Sequence, residues 1–308
     1  MKNLSILYLC FIVLFGCKNI SNRDVDGSPK ELTIAFFGGS GDNNGSVKKA
    51  MEGFRLYLEK KTHKKVKLYI TSDYTAVIEA LNSNKAQIGY LSPFSYVLAA
   101  QKNNIIPLVA IGQDGKPSMY HSIVFANKKS GIHNIDQLKN QASKLSLSFS
   151  DPASTSGHLI PFSFFQSIGI DPDKNFKEVV FSGSHAGTVL AVTSNKIDIG
   201  CSTNEYGTDI LIQKGIIKND DFTILWKSDP IIASPIVIRR DIDKKYIEKI
   251  KQLYLNLNVD DSIVFKNLMK IYHLNYNELS YMPINDSLYN GVRKIANNIK
   301  DVALLKNH

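Results

Sequence analysis

Tryptophan occurs once, cysteine three times and proline ten times in 308 residues, and these scarcities exclude several classes of protein. Three cysteines, at positions 10, 17 and 201, cannot build a disulfide framework, and none of them stands in a pair with zinc-ligand spacing. No HExxH and no carboxylate cluster of ligand spacing occurs, so no metal and no other cofactor is expected. Neither a GxGxxG nor a GxxxxGK(S/T) run is present, which argues against a nucleotide site. No apolar run reaches the roughly 20 residues that a membrane-spanning helix needs.

The longest apolar run is nevertheless informative. Met1-Lys2-Asn3 forms a short basic start and Leu4 to Phe15 is almost continuously apolar, the length of a signal-peptide core rather than of a span. The run ends in Leu14-Phe15-Gly16-Cys17, which resembles a bacterial lipobox, so Cys17 is the expected lipidated N-terminus after removal of residues 1–16. Cys10 leaves with the signal and Cys201 is then the sole thiol. Residues 17–30 are polar and aperiodic, as a lipidated tether requires. The expected location is the cell membrane, lipid-anchored, facing the periplasm or the cell exterior.

Net charge is +9, of which signal removal takes only Lys2. The lysines are spread over helical segments (Lys48, Lys49, Lys60, Lys61, Lys244, Lys245) rather than gathered with aromatics, so nucleic acid is not an expected partner. A basic surface suits an anionic ligand or an anionic membrane.

Strand-length apolar runs alternate with segments of helical period, the signature of parallel sheets covered by helices. Strands are predicted at Leu32–Phe37, Val66–Ile70, Ile88–Leu91, Pro107–Ile111, Ser122–Ala126, Leu145–Phe149, Glu178–Phe181, Ile197–Cys201, Phe222–Trp226 and Ile236–Arg239. Helices are predicted between most of them and then over Lys244–Leu255, Asp260–Tyr272 and Asp286–Lys300. Bridges around Gly112–Tyr120 and Ser228–Pro235 divide the chain into a discontinuous first lobe (31–118 plus 232–308) and a second lobe (119–231). Ligands in such α/β folds sit at the carboxyl ends of the strands.

The most telling of those ends is Asp151-Pro152-Ala153-Ser154-Thr155-Ser156-Gly157-His158, which closes a strand and opens a helix. Its hydroxyls and free backbone N–H groups outline an anion site, with Gly157 allowing close approach of the backbone to a ligand. A well-capped helix without ligand has the same sequence. Ser, Thr, Tyr and His recur at the other strand ends: Thr71 to Thr75, Ser92 to Tyr96, Ser118 to Ser122, Ser182 to His185 and Ser202 to Glu205. Phe37-Gly38-Gly39-Ser40-Gly41-Asp42 has the outline of a phosphate-cradling turn without its motif.

Asp-Pro-Ala-Ser-Thr-Ser-Gly-His-Leu-Ile-Pro (151–161), Gly-Ser-His-Ala-Gly-Thr-Val-Leu-Ala-Val (183–192), Ser-Asp-Tyr-Thr-Ala-Val-Ile-Glu-Ala-Leu (72–81) and Ser-Pro-Ile-Val-Ile-Arg (234–239) together resemble the phosphate, phosphite and phosphonate-binding proteins of ABC transporters. The likeness runs in order from about residue 32 to 300 and includes the segment from Tyr281 to Arg293. It implies the type II periplasmic-binding-protein fold, two α/β lobes joined by a two-segment hinge with a ligand cleft between them. It further implies that Ser154, Thr155 and Ser156 hold the oxyanion, that Tyr74 and Tyr120 donate phenolic hydrogen bonds and that His185 adds a donor. Glu205 falls where relatives that take 2-aminoethylphosphonate clamp the amine, whereas Ser234 replaces a second acid, so phosphite, phosphate, methylphosphonate and aminoalkylphosphonates all stay open. Tyr96 either walls the small end of the pocket or packs in the core. The implied partners are a small phosphorus oxyanion, the transmembrane subunits of an ABC permease and the membrane; the protein is expected to be a monomer.

Two other classes compete. A hydrolase needs a nucleophile held against an oriented base, yet no G-x-S-x-G elbow occurs and Ser154 to Ser156 are placed as caps. A ligand-sensing surface lipoprotein could use the same clamp to signal to a receptor, and gene context separates it from transport.

Overall fold

A computed structural model of the chain describes residues 24, 27–38, 45–102, 104–271 and 278–299. The signal segment 1–16, Cys17, most of the tether, Gly39 to Asp42, Tyr272 and Lys300 lie outside the described residues. The tether ends sooner than its composition suggests. Ser28 and Pro29 are buried and Asp24 forms an ion pair with Lys64, so Ser28 and Pro29 pack against the body of the first lobe.

Among the described residues the elements run β1 (Glu31–Phe37), α1 (Ser46–Thr62), β2 (Lys65–Thr71), α2 (Tyr74–Asn82), β3 (Ile88–Tyr90), α3 (Pro93–Ala100), β4 (Ile105–Gln113) and β5 (Lys116–Pro117). It then passes through β6 (Met119–Tyr120) into β7 (Ser122–Asn127), α4 (Ile135–Gln141) and β8 (Ser146–Phe149). A π turn, Thr155–Leu159, runs directly into α5 (Ile160–Ser167), followed by α6 (Pro172–Asn175), β9 (Glu178–Phe181), α7 (His185–Thr193) and β10 (Ile199–Thr203). A second π turn, Asn204–Thr208, opens α8 (Asp209–Gln213), and β11 (Phe222–Lys227) completes this part. The return leads through β12 (Ile231–Ile232) to β13 (Ile236–Arg239), α9 (Lys244–Leu255), α10 (Leu257–Asp260), α11 (Ser262–Ile271), β14 (Leu279–Pro283) and α12 (Asn290–Asn298).

The strands form a seven-stranded sheet of order β14-β4-β13-β3-β1-β2 with β5 beside β4, and a five-stranded sheet of order β11-β7-β10-β8-β9. Each is the centre of one lobe. The two crossing segments pair with each other as a short antiparallel ribbon, Tyr120 opposite Ile231 and Met119 opposite Ile232. The type II periplasmic-binding-protein architecture implied by the motifs is the one found.

The sheets are mixed, not parallel as the alternation suggested. β13 runs antiparallel to β3 and β4, β14 antiparallel to β4, and β7 antiparallel to β10 and β11. The hinge explains β7 and β13: the ribbon delivers each at the edge where the parallel strands finish, pairing Ser122 with Thr203 and Ile236 with Tyr90, so each must run back. The strand predicted over Ile197–Cys201 begins at Ile199 and runs on to Thr203. The segment Asp260–Tyr272 breaks near Asp261, giving the short α10 before α11.

Apolar burial joins the lobes as well as filling them. One continuous cluster takes Val77, Leu81, Phe94 and Val97 from α2 and α3 together with Leu147, Phe149, Leu159, Phe162 and Phe165 from the second lobe. A second cluster, including Leu32, Ile34, Phe54, Leu58, Ile250 and Tyr254, packs the other face of the first sheet.

Candidate binding cleft

A cavity of about 240 Å³ lies between the lobes at the carboxyl ends of the strands. The second lobe gives it Ser154, Ser156, His185 and Tyr206, and the hinge region gives Ser118, Tyr120 and Ser234. The first lobe gives Phe36, Phe37, Met51, Tyr74, Ile111, Ile236 and Tyr281 among others. No Lys, Arg, Asp or Glu lines it among the described residues.

Five helix-opening turns reach this cavity. Tyr74 is the first residue of α2, Ser92 caps α3, Ser154 caps the Thr155 turn, His185 opens α7 and Tyr206 stands in the turn before α8. The caps hold these ends open toward the cleft: Asp73, Ser92, Ser154 and Ser184 accept from the N–H groups of Ala76, Ser95, Gly157 and Gly187. Free N–H groups and aligned peptide dipoles at such ends attract anions, each end contributing about 0.3–1 kcal/mol where exposed and more where shielded. The peptide dipoles at these ends favour an anion in the cleft, although the N–H groups of Tyr74, Phe94 and Ser95 are already taken by Asp151, Thr155 and Ser92.

His185 and Tyr120 add polar side chains. The His185 ring holds Nδ1 at 3.2 Å from both Ser150 Oγ and Ser202 Oγ, and burial lowers its pKa to about 4, so it stands neutral at pH 7. Ser150 is itself fixed by donating to the Cys201 carbonyl at 2.9 Å. Burial raises the Tyr120 phenol above its usual range, opposed by the hydroxyls of Thr155, Ser156 and Ser234 around it, so Tyr120 keeps its proton to donate. Its ring leans on Tyr206 with centroids 5.6 Å apart.

Not every residue implied by the motifs faces the cavity. Thr155 is fully buried and its Oγ1 accepts from the Phe94 N–H of the other lobe at 2.8 Å. Glu205 is turned away and held by His121, whose N–H donates to Oε2 at 2.9 Å and whose Nδ1 lies 2.6 Å from Oε1. The proposed amine clamp is thus engaged within its own lobe. Tyr96 is a core residue: its ring packs on Tyr289 with centroids 4.9 Å apart and its hydroxyl donates to Asp286 at 2.5 Å. His158 is likewise structural, caged by Phe149, Phe162 and Phe181 with Nδ1 2.7 Å from the Pro152 carbonyl. Gly157 makes room for Ser150 rather than for a ligand: a Cβ there would stand 2.5 Å from Ser150 Cβ. Tyr74, Tyr120, Ser154, Ser156 and His185 do line the one cavity.

The family model described as the periplasmic substrate-binding protein of phosphonate ABC transporters matches residues 41–273. The chain belongs to that family. As a phosphonate-transporter substrate-binding protein it is a component of an importer and not an enzyme. It is 27% identical over 294 residues to a phosphate-import protein, PhnD, of Mycolicibacterium smegmatis, covering 91% of this chain and 89% of that one. It is 28% identical over 250 residues to the phosphonates-binding periplasmic protein of Escherichia coli, covering 80% and 72%. Among solved structures it superposes on PhnD1 of Prochlorococcus marinus in complex with methylphosphonate with a TM-score of 0.75, at 20% identity and covering 88% and 98%. That likeness carries the fold.

For a phosphonate-family binding protein the most notable lining was not legible in its motifs. Tyr206 follows Glu205 at a strand end and could have been found by the rule that located its neighbours. Phe36, Phe37, Met51, Ile111 and Tyr281 could not, because apolar residues in strands and helices read as core until the second lobe shows which of them face a cleft.

Proposed function

We propose that this chain is an extracytoplasmic solute-binding lipoprotein that captures a phosphorus oxyanion, a phosphonate, phosphite or phosphate, by closure of its lobes and delivers it to the permease of an ABC importer. The observation that carries this reading is the convergence of Ser154, Ser156, His185 and Tyr120 with five helix-opening turns on one cavity that has no charged side chain among the described residues. Such neutral donors hold an oxyanion through charge-assisted hydrogen bonds, each worth about 1.5–3 kcal/mol. The signal segment and Cys17 support secretion and lipid attachment, residues 31–118 with 232–308 form one lobe and 119–231 the other, and the β6–β12 ribbon is the hinge. Ligand bridging the lobes shifts the population toward the closed form that a permease recognises. Among the described residues, hydrogen bonds span the cleft from Tyr74 N–H to Asp151 at 3.4 Å, from Ser92 Oγ to the Ala153 carbonyl at 3.0 Å and from Phe94 N–H to Thr155.

Calorimetric titration with phosphate, phosphite, methylphosphonate and 2-aminoethylphosphonate tests the reading. Micromolar or tighter binding of at least one is expected. Binding of none up to millimolar concentration, or equal binding of sulfate, overturns it.

A further inference from the structure

The cavity is divided by polarity between the lobes. What the second lobe and hinge contribute is hydroxyl, phenol and imidazole: Ser154, Ser156, His185, Tyr206, Tyr120 and Ser234. What the first lobe contributes, apart from Tyr74 and Ser92 at the openings of α2 and α3, is mainly hydrocarbon. Phe36 and Phe37 come from the end of β1, Met51 from α1, Ile111 from β4, Ile236 from β13 and Tyr281 from β14. Phe36, Met51, Ile236 and Tyr281 are each at most 5% exposed, so this is a dry wall rather than an open rim. The polar tip of Tyr90 at the same wall is tied back to Tyr254 at 3.1 Å, leaving its ring to the chamber.

Size points the same way. About 240 Å³ exceeds the roughly 150 Å³ apolar cavity that accommodates a benzene ring, far more than an inorganic oxyanion occupies. An ammonium placed against this wall would lose its hydration with no described carboxylate to replace it, because Glu205 is held by His121 and position 234 is serine. An alkyl or aryl group would instead exchange water for close contact, and Met51 can adapt to its shape.

We propose that this protein selects PO₃ groups carrying an uncharged hydrocarbon substituent of several carbons, the substituent lying against Phe36, Phe37, Met51, Ile111, Ile236 and Tyr281. The proposal rests on the oxyanion reading above and names the ligand class for the same site. Alkylphosphonates and alkyl phosphate monoesters share this chemistry.

The test is a competition series on the purified full-length protein: phosphite, then methyl-, ethyl-, propyl- and butylphosphonate, phenylphosphonate, propyl phosphate and 2-aminoethylphosphonate. Affinity is expected to rise about four-fold per added methylene until the chamber is filled. Propylphosphonate should exceed its near-isostere 2-aminoethylphosphonate by about ten-fold or more. Propyl phosphate separates the sources: tighter than phosphite, it extends the class to esters, and weaker, it overturns the ester half of the proposal. Affinity that is flat or falls with chain length while phosphite or methylphosphonate binds overturns this inference alone and leaves the oxyanion reading standing. Binding of none of the series overturns both. Ile111→Glu, checked for folding by circular dichroism, should invert the ratio between propylphosphonate and 2-aminoethylphosphonate; an unchanged ratio in a folded variant removes the chamber from recognition, and the native series decides if the variant does not fold.

Discussion

The backbone N–H of Phe94 donates to Thr155 Oγ1 at 2.8 Å, joining the first turn of α3 in one lobe to the cap region of the Thr155 turn in the other. A hydroxyl whose position in the chain marks it for the ligand also bonds across from one lobe to the other. The distinction matters because a latch acts on closure and a ligand contact acts on the bound state, and substitutions separate them.

Thr155→Ala leaves the Phe94 N–H buried without its partner, which costs the closed form about 1–3 kcal/mol. Calorimetry should show affinity reduced for every ligand by a similar factor, with Thr155→Ser restoring most of it. Tyr120→Phe should also lose about 1–3 kcal/mol of binding, with little change in unfolding midpoint. Affinity equal to the parent in both variants removes these two residues from the clamp.

Glu205 faces His121 rather than the cavity. Glu205→Gln should therefore change oxyanion affinity less than about three-fold and lower stability by about 1–2 kcal/mol through the weakened bonds to His121. A selective loss of 2-aminoethylphosphonate binding in this variant would restore the amine-clamp role.

Gly157→Ala forces a methyl group against Ser150, 2.5 Å from its Cβ and 2.6 Å from its Oγ. Ser150 carries both the Cys201 carbonyl and the His185 ring, so the clash should reach the cleft. A destabilisation of about 1–3 kcal/mol and a loss of affinity are expected in denaturant and calorimetric measurements. Gly291→Ala in α12, where an added methyl would meet no neighbouring side chain within 4 Å, is the control and should be neutral or stabilising by up to about 1 kcal/mol.

His158 has its pKa lowered to about 4 by burial, against 6.5 for the free side chain. The folded state then binds fewer protons than the unfolded chain between these values. Its contribution is fully present above about pH 6.5 and is lost as pH falls through about 4, on the order of 3 kcal/mol in all. Urea midpoints measured from pH 7 to 4 should fall steeply in the parent and less so in His158→Gln; parallel profiles would show that this histidine does not set the acid limb.

Cys17→Ser should move the protein from the membrane to the soluble fraction without altering ligand affinity. Persistence in the membrane fraction would indicate another anchor.

The sequence by itself determined the two-lobe α/β architecture, since alternating apolar runs and helical periods leave few other ways to bury both faces of each sheet. It also located the Ser154, Tyr120 and His185 ends of the cleft, because capping hydroxyls and aromatic donors at strand ends are local signals. Strand direction was decided only when the chain crossed the hinge, a long-range event that turned β7 and β13 against their neighbours. Tertiary structure also decided which side chain meets what. Thr155 bonds across to Phe94, Glu205 is held by His121, and Tyr96 is drawn to Asp286 and Tyr289. Phe36 and Ile111 line a cavity only because two lobes, each folded around its own sheet, face each other there. Local spacing specifies caps and faces; partners contributed by a different lobe depend on how the two lobes meet, which no local spacing encodes.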